Sequence, residues 1–405
     1  MKSRAILTVS LGALAALAAS GLSQGQAPAQ APAAPATAPA AQQTGPGIQA
    51  TNDSKYREYL NTKCKNPPAP APPRGGGGRA PATAPPAHRE YKVSEIPGVI
   101  AAGAMWKTVW TGTGNNADGP VATSDGGMMF AQNSNSKVLK LDKNGKESFP
   151  YSDTNTGGAL AMNKKGALFI LQRGLPQEIW QLAPKRKVLV NKMNGEPLDC
   201  AGGLLNDGTA DSKGGIYFIK GGVHYADAKG NVTKYGTVGG NGIILSADEK
   251  TLYVTGRTAS ATPAAAAAPA APAAPANAPA GGGAAAAGAG GRGGGAGAPP
   301  ATGLVAFDVQ PDGSLKNERQ FSTCACNDGT TIDSMGRIYS TGGMGVQVLD
   351  KDGKLLGEIP SPLPLITVAF SGPDKKTLYG VANTQQFDEI FTIPMIAQGY
   401  KGRAK

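Results

Sequence analysis

The sequence predicts an all-β chain, a six-bladed β-propeller with a disordered N-terminal region and a low-complexity insertion, on three observations. The first is a phrase written twice. Asn206-Asp207-Gly208-Thr209 leads to Asp211-Ser212, Gly214 and Ile216-Tyr217, and Asn327-Asp328-Gly329-Thr330 leads to Asp333-Ser334, Gly336 and Ile338-Tyr339. Asn206 and Asp328 precede their tyrosines by the same interval, so those two hold the same place. The second is that looser copies begin at Asp118, Gly157, Asn241 and Ile366 and lead to Met129-Phe130, Leu168-Phe169, Leu252-Tyr253 and Leu378-Tyr379. Self-similarity of this kind marks a repeat architecture. The marks are spaced by about one four-stranded blade each, once 258–301 is set aside as an insertion. The third is that the sequence between marks alternates in short β-branched and aromatic runs broken by turn residues. A β-sandwich leaves the six-fold recurrence unexplained.

Along the chain, 1–20 reads as a secretory signal. Lys2 and Arg4 precede an apolar run over 5–19 that is too short for a membrane span, and Ala18-Ala19-Ser20 offers small residues for cleavage. The implied location is secreted or periplasmic, with no membrane span. Residues 21–89 form a low-complexity region, Ala/Pro-rich over 28–49 and Pro/Gly/Arg-rich over 67–86. Without large apolar side chains to offset ordering entropy, such sequence should stay disordered. The propeller spans 90–400, and 105–111 should supply the outer strand of the last blade and close the ring. Strands are expected at 128–131, 137–141, 167–171, 216–219, 252–255, 304–309, 338–340 and 346–349. Turn signals such as Asp125-Gly126-Gly127, Lys143-Asn144-Gly145 and Lys351-Asp352-Gly353 fall between them. No stretch after the signal shows a sustained helical period. The Ala/Pro/Gly insertion 258–301 separates the second and third strands of its blade. It should emerge on the face where the first strands open, as a flexible tether. Residues 401–405 are a basic tail.

Composition excludes several function classes. The formal net charge is +11, from 39 Lys+Arg against 28 Asp+Glu. The basic residues are scattered without a stripe or interleaved aromatics, which argues for a solvated surface and against a nucleic-acid partner. Four cysteines, Cys64, Cys200, Cys324 and Cys326, allow three pairings. Cys324 and Cys326 are close enough in sequence that a bridge between them should be strained. The expected link is therefore Cys200 with Cys324 or Cys326. With only two histidines, His88 and His224, and no paired Cys-x-x-Cys motifs, zinc is disfavoured. No Ser-His-Asp arrangement or phosphate-cradling loop is evident. Cys326 has no activating base. Trp106, Trp110 and Met128-Met129 read as core.

Asp118, Asn206, Asn241 and Asp328 carry polar side chains at equivalent openings of four different blades. Singly, Asp and Asn in such places are turn formers, and Asp207 and Asn327 are read that way. Four together in a ring converge, and convergent polar groups mark a pocket.

At these residues the chain resembles the gluconolactonase/regucalcin (senescence marker protein)-like family of calcium-dependent propellers. The resemblance runs through Asn241-Gly242-Ile243-Ile244-Leu245-Ser246, Asp248-Glu249-Lys250-Thr251-Leu252-Tyr253-Val254, Ala306-Phe307-Asp308-Val309 and Pro311-Asp312-Gly313-Ser314-Leu315. It continues through Asp328-Gly329, Asp352-Gly353-Lys354-Leu355-Leu356-Gly357 and Phe370-Ser371-Gly372-Pro373-Asp374, spans most of 118–394 and is densest from Asn241 onward. It implies a divalent metal, Ca2+ above all, on the propeller axis, with Asp118, Asn206, Asn241 and Asp328 as its surroundings. An all-oxygen set with two negative charges suits a hard cation. Two positions depart from the family. Its metal-binding Glu is Asp118 here, one methylene shorter, and its sugar-binding Arg is Leu204, which argues against an aldonolactone. The function implied is metal-dependent hydrolysis of a small-molecule lactone or related ester. In it Asp328 is ligand and general base, and Asn206 orients the substrate. The alternative is a non-catalytic propeller that binds a ligand or protein around a structural metal.

Overall fold

The computed structural model describes residues 54–69, 85–114, 117–236, 238–258, 303–383 and 387–402. The chain divides into two units, 1–39 and 40–405, and the first lies wholly outside the described residues. So do the signal read at 1–20 and all of the insertion except Thr258.

After a helix α1 (Ser54–Lys63) and a strand β1 (Lys107–Thr113), the chain builds its blades in order. Blade 1 is β2 to β5 (Asp118–Ala122, Met128–Gln132, Lys137–Leu141, Glu147–Ser152) and blade 2 is β6 to β9 (Gly157–Met162, Leu168–Gln172, Glu178–Ala183, Lys187–Val190). A small hairpin, β10 and β11 (Lys192–Met193, Glu196–Pro197), and a 3-10 turn at Leu198–Ala201 lead to blade 3, β12 to β15 (Gly208–Ala210, Ile216–Ile219, Val223–Ala226, Val232–Tyr235). Blade 4 is β16 to β19 (Ile243–Leu245, Thr251–Thr255, Leu304–Val309, Leu315–Ser322) and blade 5 is β20 to β23 (Thr330–Ile332, Ile338–Gly342, Gly345–Leu349, Leu355–Pro360). Blade 6 is β24 to β26 (Thr367–Ser371, Thr377–Asn383, Phe387–Pro394), and β1 adds to β26 as its fourth strand, two residues further along than 105–111. The six-bladed propeller is thereby closed by strand pairing between the two ends of the domain.

The sequence dictates this arrangement blade by blade. The first and second strands are short and apolar, as in Ile243–Leu245, and are buried on both faces. The fourth strands are the least buried, and Glu147–Ser152 is mostly exposed. Six apolar clusters fill the six spaces between neighbouring blades. The aromatic residues that end the repeated phrase are the wedges: Phe169, Tyr217, Tyr253, Tyr339 and Tyr379 each enter the cluster shared with the next blade. In blade 1 Met129 takes that place, while Phe130 turns back toward blade 6. Each such side chain is worth about 1.5–3 kcal/mol on burial. The Asp residues of the turns close the hairpins. Asp211 Oδ1 accepts from the backbone N–H of Lys213 (2.9 Å) and Gly215 (2.8 Å), and Asp333 Oδ1 does the same for Met335 (2.9 Å) and Arg337 (3.0 Å).

Two expectations are corrected. Residues 54–63, inside the region expected to be disordered, form α1, which buries Tyr56, Leu60 and Cys64 against Leu175 and Cys200. The cysteines pair as Cys64–Cys200 and Cys324–Cys326, and not as Cys200 with Cys324 or Cys326. The physical reason is position. Cys200 lies between blades 2 and 3, where α1 brings Cys64 to it, and Cys324 and Cys326 lie between blades 4 and 5 with their Cα atoms 5.1 Å apart, within bridging reach. Among the described residues no helix is long and apolar enough to cross a membrane.

Candidate functional site

The backbone brings four of the marked positions to one place. Asn206 N–H donates to Ile219 O (3.0 Å) and Asp328 N–H to Thr341 O (3.3 Å), equivalent bonds at the head of blades 3 and 5. In blade 4, buried Thr255 Oγ1 accepts from the N–H groups of Asn241 (3.1 Å) and Gly242 (2.8 Å) and fixes the same turn. The glycines that follow Asp118 and Asn241 have a packing reason. A Cβ at 242 would lie 2.2 Å from Asp328 O, and one at 119 would lie 2.4 Å from Ala159 Cα. Only glycine lets neighbouring first strands approach this closely at the centre of the ring.

The side chains then form a hydrogen-bonded chain around the axis. Asn206 Nδ2 donates to Asn241 Oδ1, and Asn241 Nδ2 reaches Asp328 Oδ2 at 3.4 Å. Asp118 Oδ1 accepts from Gly119 N–H (2.7 Å), and Asp328 Oδ1 from Gly329 N–H (3.0 Å). Asp207, read as a turn former, does accept from Gly208 N–H (2.8 Å), and its second oxygen accepts from Ile243 N–H (3.3 Å), tying blade 3 to blade 4.

One member of the site was not anticipated. Arg173, the residue after β7, extends over Gly158 to the axis and forms an ion pair with Asp118 Oδ2 at 3.1 Å. Its Nη2 also donates to Asn206 O (3.2 Å) and Oδ1 (3.1 Å), and its Nε to Leu205 O (2.9 Å). Arg173, from another blade, thus bonds to Leu205 and Asn206, the residues that follow Leu204. A signal was present: blade 2 carries Gly157-Gly158 where other blades carry Asp or Asn.

Burial raises both axial carboxyls. Asp328 is pushed well above the usual carboxylate range, first by desolvation and then by the charges of Asp118 and Asp207. Asp118 is raised by desolvation, with Arg173 opposing and Asp207 adding to it. Like charges held together out of bulk water favour the protonated form. Among the described residues Asp328 forms no ion pair, so the site holds carboxylates in excess of its one guanidinium.

That donor set fits a hard divalent cation: oxygens from two carboxylates and two amides, with surplus negative charge. Among the described residues no three His, Cys, Asp or Glu side chains form a metal-holding group, so a cation here depends on the amides. The cavities of about 410 Å³ beside Gln320, Ser322 and Leu355 and of about 550 Å³ beside Lys107, Leu141 and Tyr379 are not lined by any axial residue.

Comparison with known proteins places the fold. Three solved structures share it. A gluconolactonase from Xanthomonas campestris has 19% identity, TM-score 0.55 and coverage of 81% of this chain and 99% of its own. A luciferin-regenerating enzyme has 14% identity, TM-score 0.51 and coverage of 74% and 98%. A calcium-binding regucalcin from Agrobacterium tumefaciens has 16% identity, TM-score 0.50 and coverage of 74% and 98%. No curated protein matches the chain in sequence. Residues 299–383, from blade 4 into blade 6, match the family described as SMP-30/gluconolactonase/LRE-like region, and the resemblance to gluconolactonase/regucalcin propellers read from the sequence holds.

Proposed function

We propose that the chain is an exported hydrolase of a lactone or related ester, dependent on a divalent cation, Ca2+, held on the propeller axis by Asp118, Asn206, Asn241 and Asp328. The observation that carries this reading is the axial cluster, in which carboxylates and amides from blades 1, 3, 4 and 5 are linked in one chain from Asp118 through Arg173, Asn206 and Asn241 to Asp328. The family match and the Xanthomonas gluconolactonase support the reaction class, and the calcium-binding Agrobacterium protein supports the ion. Export is supported by two disulfides, which suit an oxidising compartment.

A bound divalent ion supplies Lewis acidity that polarises an ester carbonyl. The chain's own residues supply the rest. Asp328 Oδ2 carries one long hydrogen bond from Asn241, and Asp328 forms no ion pair among the described residues, which suits this carboxylate to take a proton from an attacking water. Asn206 and Asn241, whose main-chain N–H groups donate to Ile219 O of β13 and Thr255 Oγ1 of β17, orient the acyl group with their side-chain amides. A second reading, ligand or protein binding around a structural metal, is favoured by one observation: both oxygens of Asp118 already accept hydrogen bonds.

The test is titration of the full chain with CaCl2, with turnover measured on a panel of lactones and esters. Wild type should bind about one ion, and Asp328→Ala none, since it removes a charged ligand. Asp328→Asn should keep part of the binding and lose turnover. Unchanged calcium affinity in Asp328→Ala would sink the site assignment. Calcium binding without hydrolysis anywhere in the panel would leave the binding reading.

A further inference from the structure

Blade 2 interrupts the pattern of the ring. Where blades 1, 3, 4 and 5 bring Asp or Asn to the axis, blade 2 brings Gly157 and Gly158, and the guanidinium of Arg173 lies in the space they leave. A Cβ at 158 would sit 1.9 Å from Arg173 Nε and 2.0 Å from its Cζ, so this berth exists only because the residue is glycine. The side chain is 8% exposed and clamped at both ends, by Leu205 O on Nε and by Asn206 and Asp118 on Nη2.

The clamp has a consequence for the donors. Asp118 Oδ2 faces Arg173 while Oδ1 faces Gly119 N–H, so each oxygen of this carboxylate already accepts a hydrogen bond. Asn206 Oδ1 also faces Arg173, which turns the Asn206 amide so that its N–H, not its oxygen, points to Asn241. The guanidinium thus holds two of the four oxygen ligands, and Asp328 is left at the far end of the chain.

We propose that Arg173 is the built-in counter-cation of the axial site, holding Asp118 and Asn206 in competition with a divalent ion, so that an ion binds fully only when the guanidinium gives up those two oxygens. The inference rests on the cation reading above. A guanidinium and a divalent ion on one carboxylate repel each other strongly at such distances, because protein weakens charge interactions far less than bulk water does. Arg173 therefore lowers the affinity of the site and keeps it ordered when no ion is bound.

A purely structural role predicts the opposite sign. If Arg173 only braces Leu205 and Asn206, removing it loosens the donors and weakens ion binding. Calorimetric titration of the full chain with CaCl2 separates the two, using wild type, Arg173→Gln, Arg173→Lys and Gly158→Ala, with circular dichroism to confirm folding. Gly158→Ala keeps the arginine but fills its berth, and residue 158 lies outside the left-handed backbone region that strains alanine. Arg173→Gln and Gly158→Ala should each bind calcium at least tenfold more tightly than wild type, and Arg173→Lys, which keeps the charge, should stay within a few-fold of it. Unchanged or weaker binding in both Arg173→Gln and Gly158→Ala, with wild type still binding, would overturn the counter-cation and leave the cation site standing. Absence of calcium binding in all four proteins would remove the site and the inference together.

Discussion

Asp328 and Arg173 show how unequally single residues reveal themselves. Asp328 sits in a phrase the chain repeats, and register alone aligns it with Asn206. Arg173 follows a strand, outside any repeated phrase, and reaches the axis only through the length of its side chain and the absence of one at Gly158. A sequence reading aligned on backbone positions finds the first kind and misses the second. His224 is a third kind, a titratable residue whose role is set wholly by packing. It is fully buried in β14, stacked on Phe218 at 5.2 Å, with Nδ1 3.2 Å from Gly222 O. Desolvation lowers its pKa to about 4; the Gly222 carbonyl opposes this, and the charges of Lys234 and Lys220 assist it. A depressed histidine contributes stability that is complete above its unfolded pKa of about 6.5 and is lost as pH falls toward the folded value. That is about 2–3 kcal/mol across pH 6.5 to 4. His224→Phe keeps the ring stack and removes the titration. Its stability relative to wild type, from urea midpoints, should therefore improve steadily as pH drops from 6.5 to 4.5. A gap between the two proteins that does not change with pH would show that His224 is protonated in the fold.

Helix α1 was invisible for a reason that also explains its dependence on the rest of the molecule. Its sequence, SKYREYLNTK, offers only Tyr56, Tyr59 and Leu60 as apolar contacts. A helix of this length is marginal on its own, so it exists because Cys64 is bonded to Cys200 and because Tyr56 and Leu60 lie against Leu175. Arg57 Nη1 donates to Pro68 O at 2.7 Å and holds the segment that follows. The anchor continues toward the axis. Buried Asp199, beside Cys200, accepts from Gln177 N–H (3.0 Å) and Nε2 (3.2 Å), and Gln177 Oε1 accepts from Leu205 N–H (2.8 Å). Leu205 O receives Arg173 Nε. A bridge closing so long a loop contributes about 2–5 kcal/mol. Cys64→Ser should therefore lower the melting temperature by roughly 5–10 °C. It should also speed amide exchange at Leu205 and Asn206 while leaving the strands of blades 4 and 5 protected. Equal exchange at Leu205 in the two proteins would mean that the clasp and the site are independent. The eight strands expected from the sequence, all second or third strands of their blades, were by contrast legible almost to the residue, because they are short apolar runs bounded by turn residues. The pairing of Cys64 was not, since loop closure brings distant cysteines together without leaving a pattern in either segment.

Ring closure is where the order of the chain and the order of the sheet part company. Five blades are contiguous in sequence, while blade 6 takes its outer strand from β1, paired with β26 from Lys107↔Thr392 to Thr113↔Phe387. The repeat spacing made six blades readable, because each interface takes a large side chain, aromatic in five blades and Met129 in blade 1, from the second strand of the blade before it. The closing strand was readable too, because the sixth unit otherwise has three strands. The segment before β1 extends the closure. Val93, Ile96, Val99 and Ile100 join the cluster between blades 5 and 6, and Trp106 Nε1 donates to Pro360 O at 2.8 Å. Trp110 meets Phe130 of blade 1 edge to face at 5.4 Å, so β1 spans the seam between blades 6 and 1. Removing β1 would leave β26 as a long unpaired edge and open the cluster that holds Phe130, Ala369 and Tyr379. Exposed edges of that kind pair with other chains. A chain beginning at residue 117 should accordingly aggregate or unfold without a sharp transition. A chain beginning at residue 85 lacks α1 and the Cys64 clasp but keeps β1, and it should melt cooperatively at a lower temperature than the full protein. Scanning calorimetry with light scattering distinguishes them. A sharp, reversible transition in the chain beginning at residue 117 would show that the remaining blades close without the strand, and that the seam between blades 6 and 1 is held by side-chain packing alone.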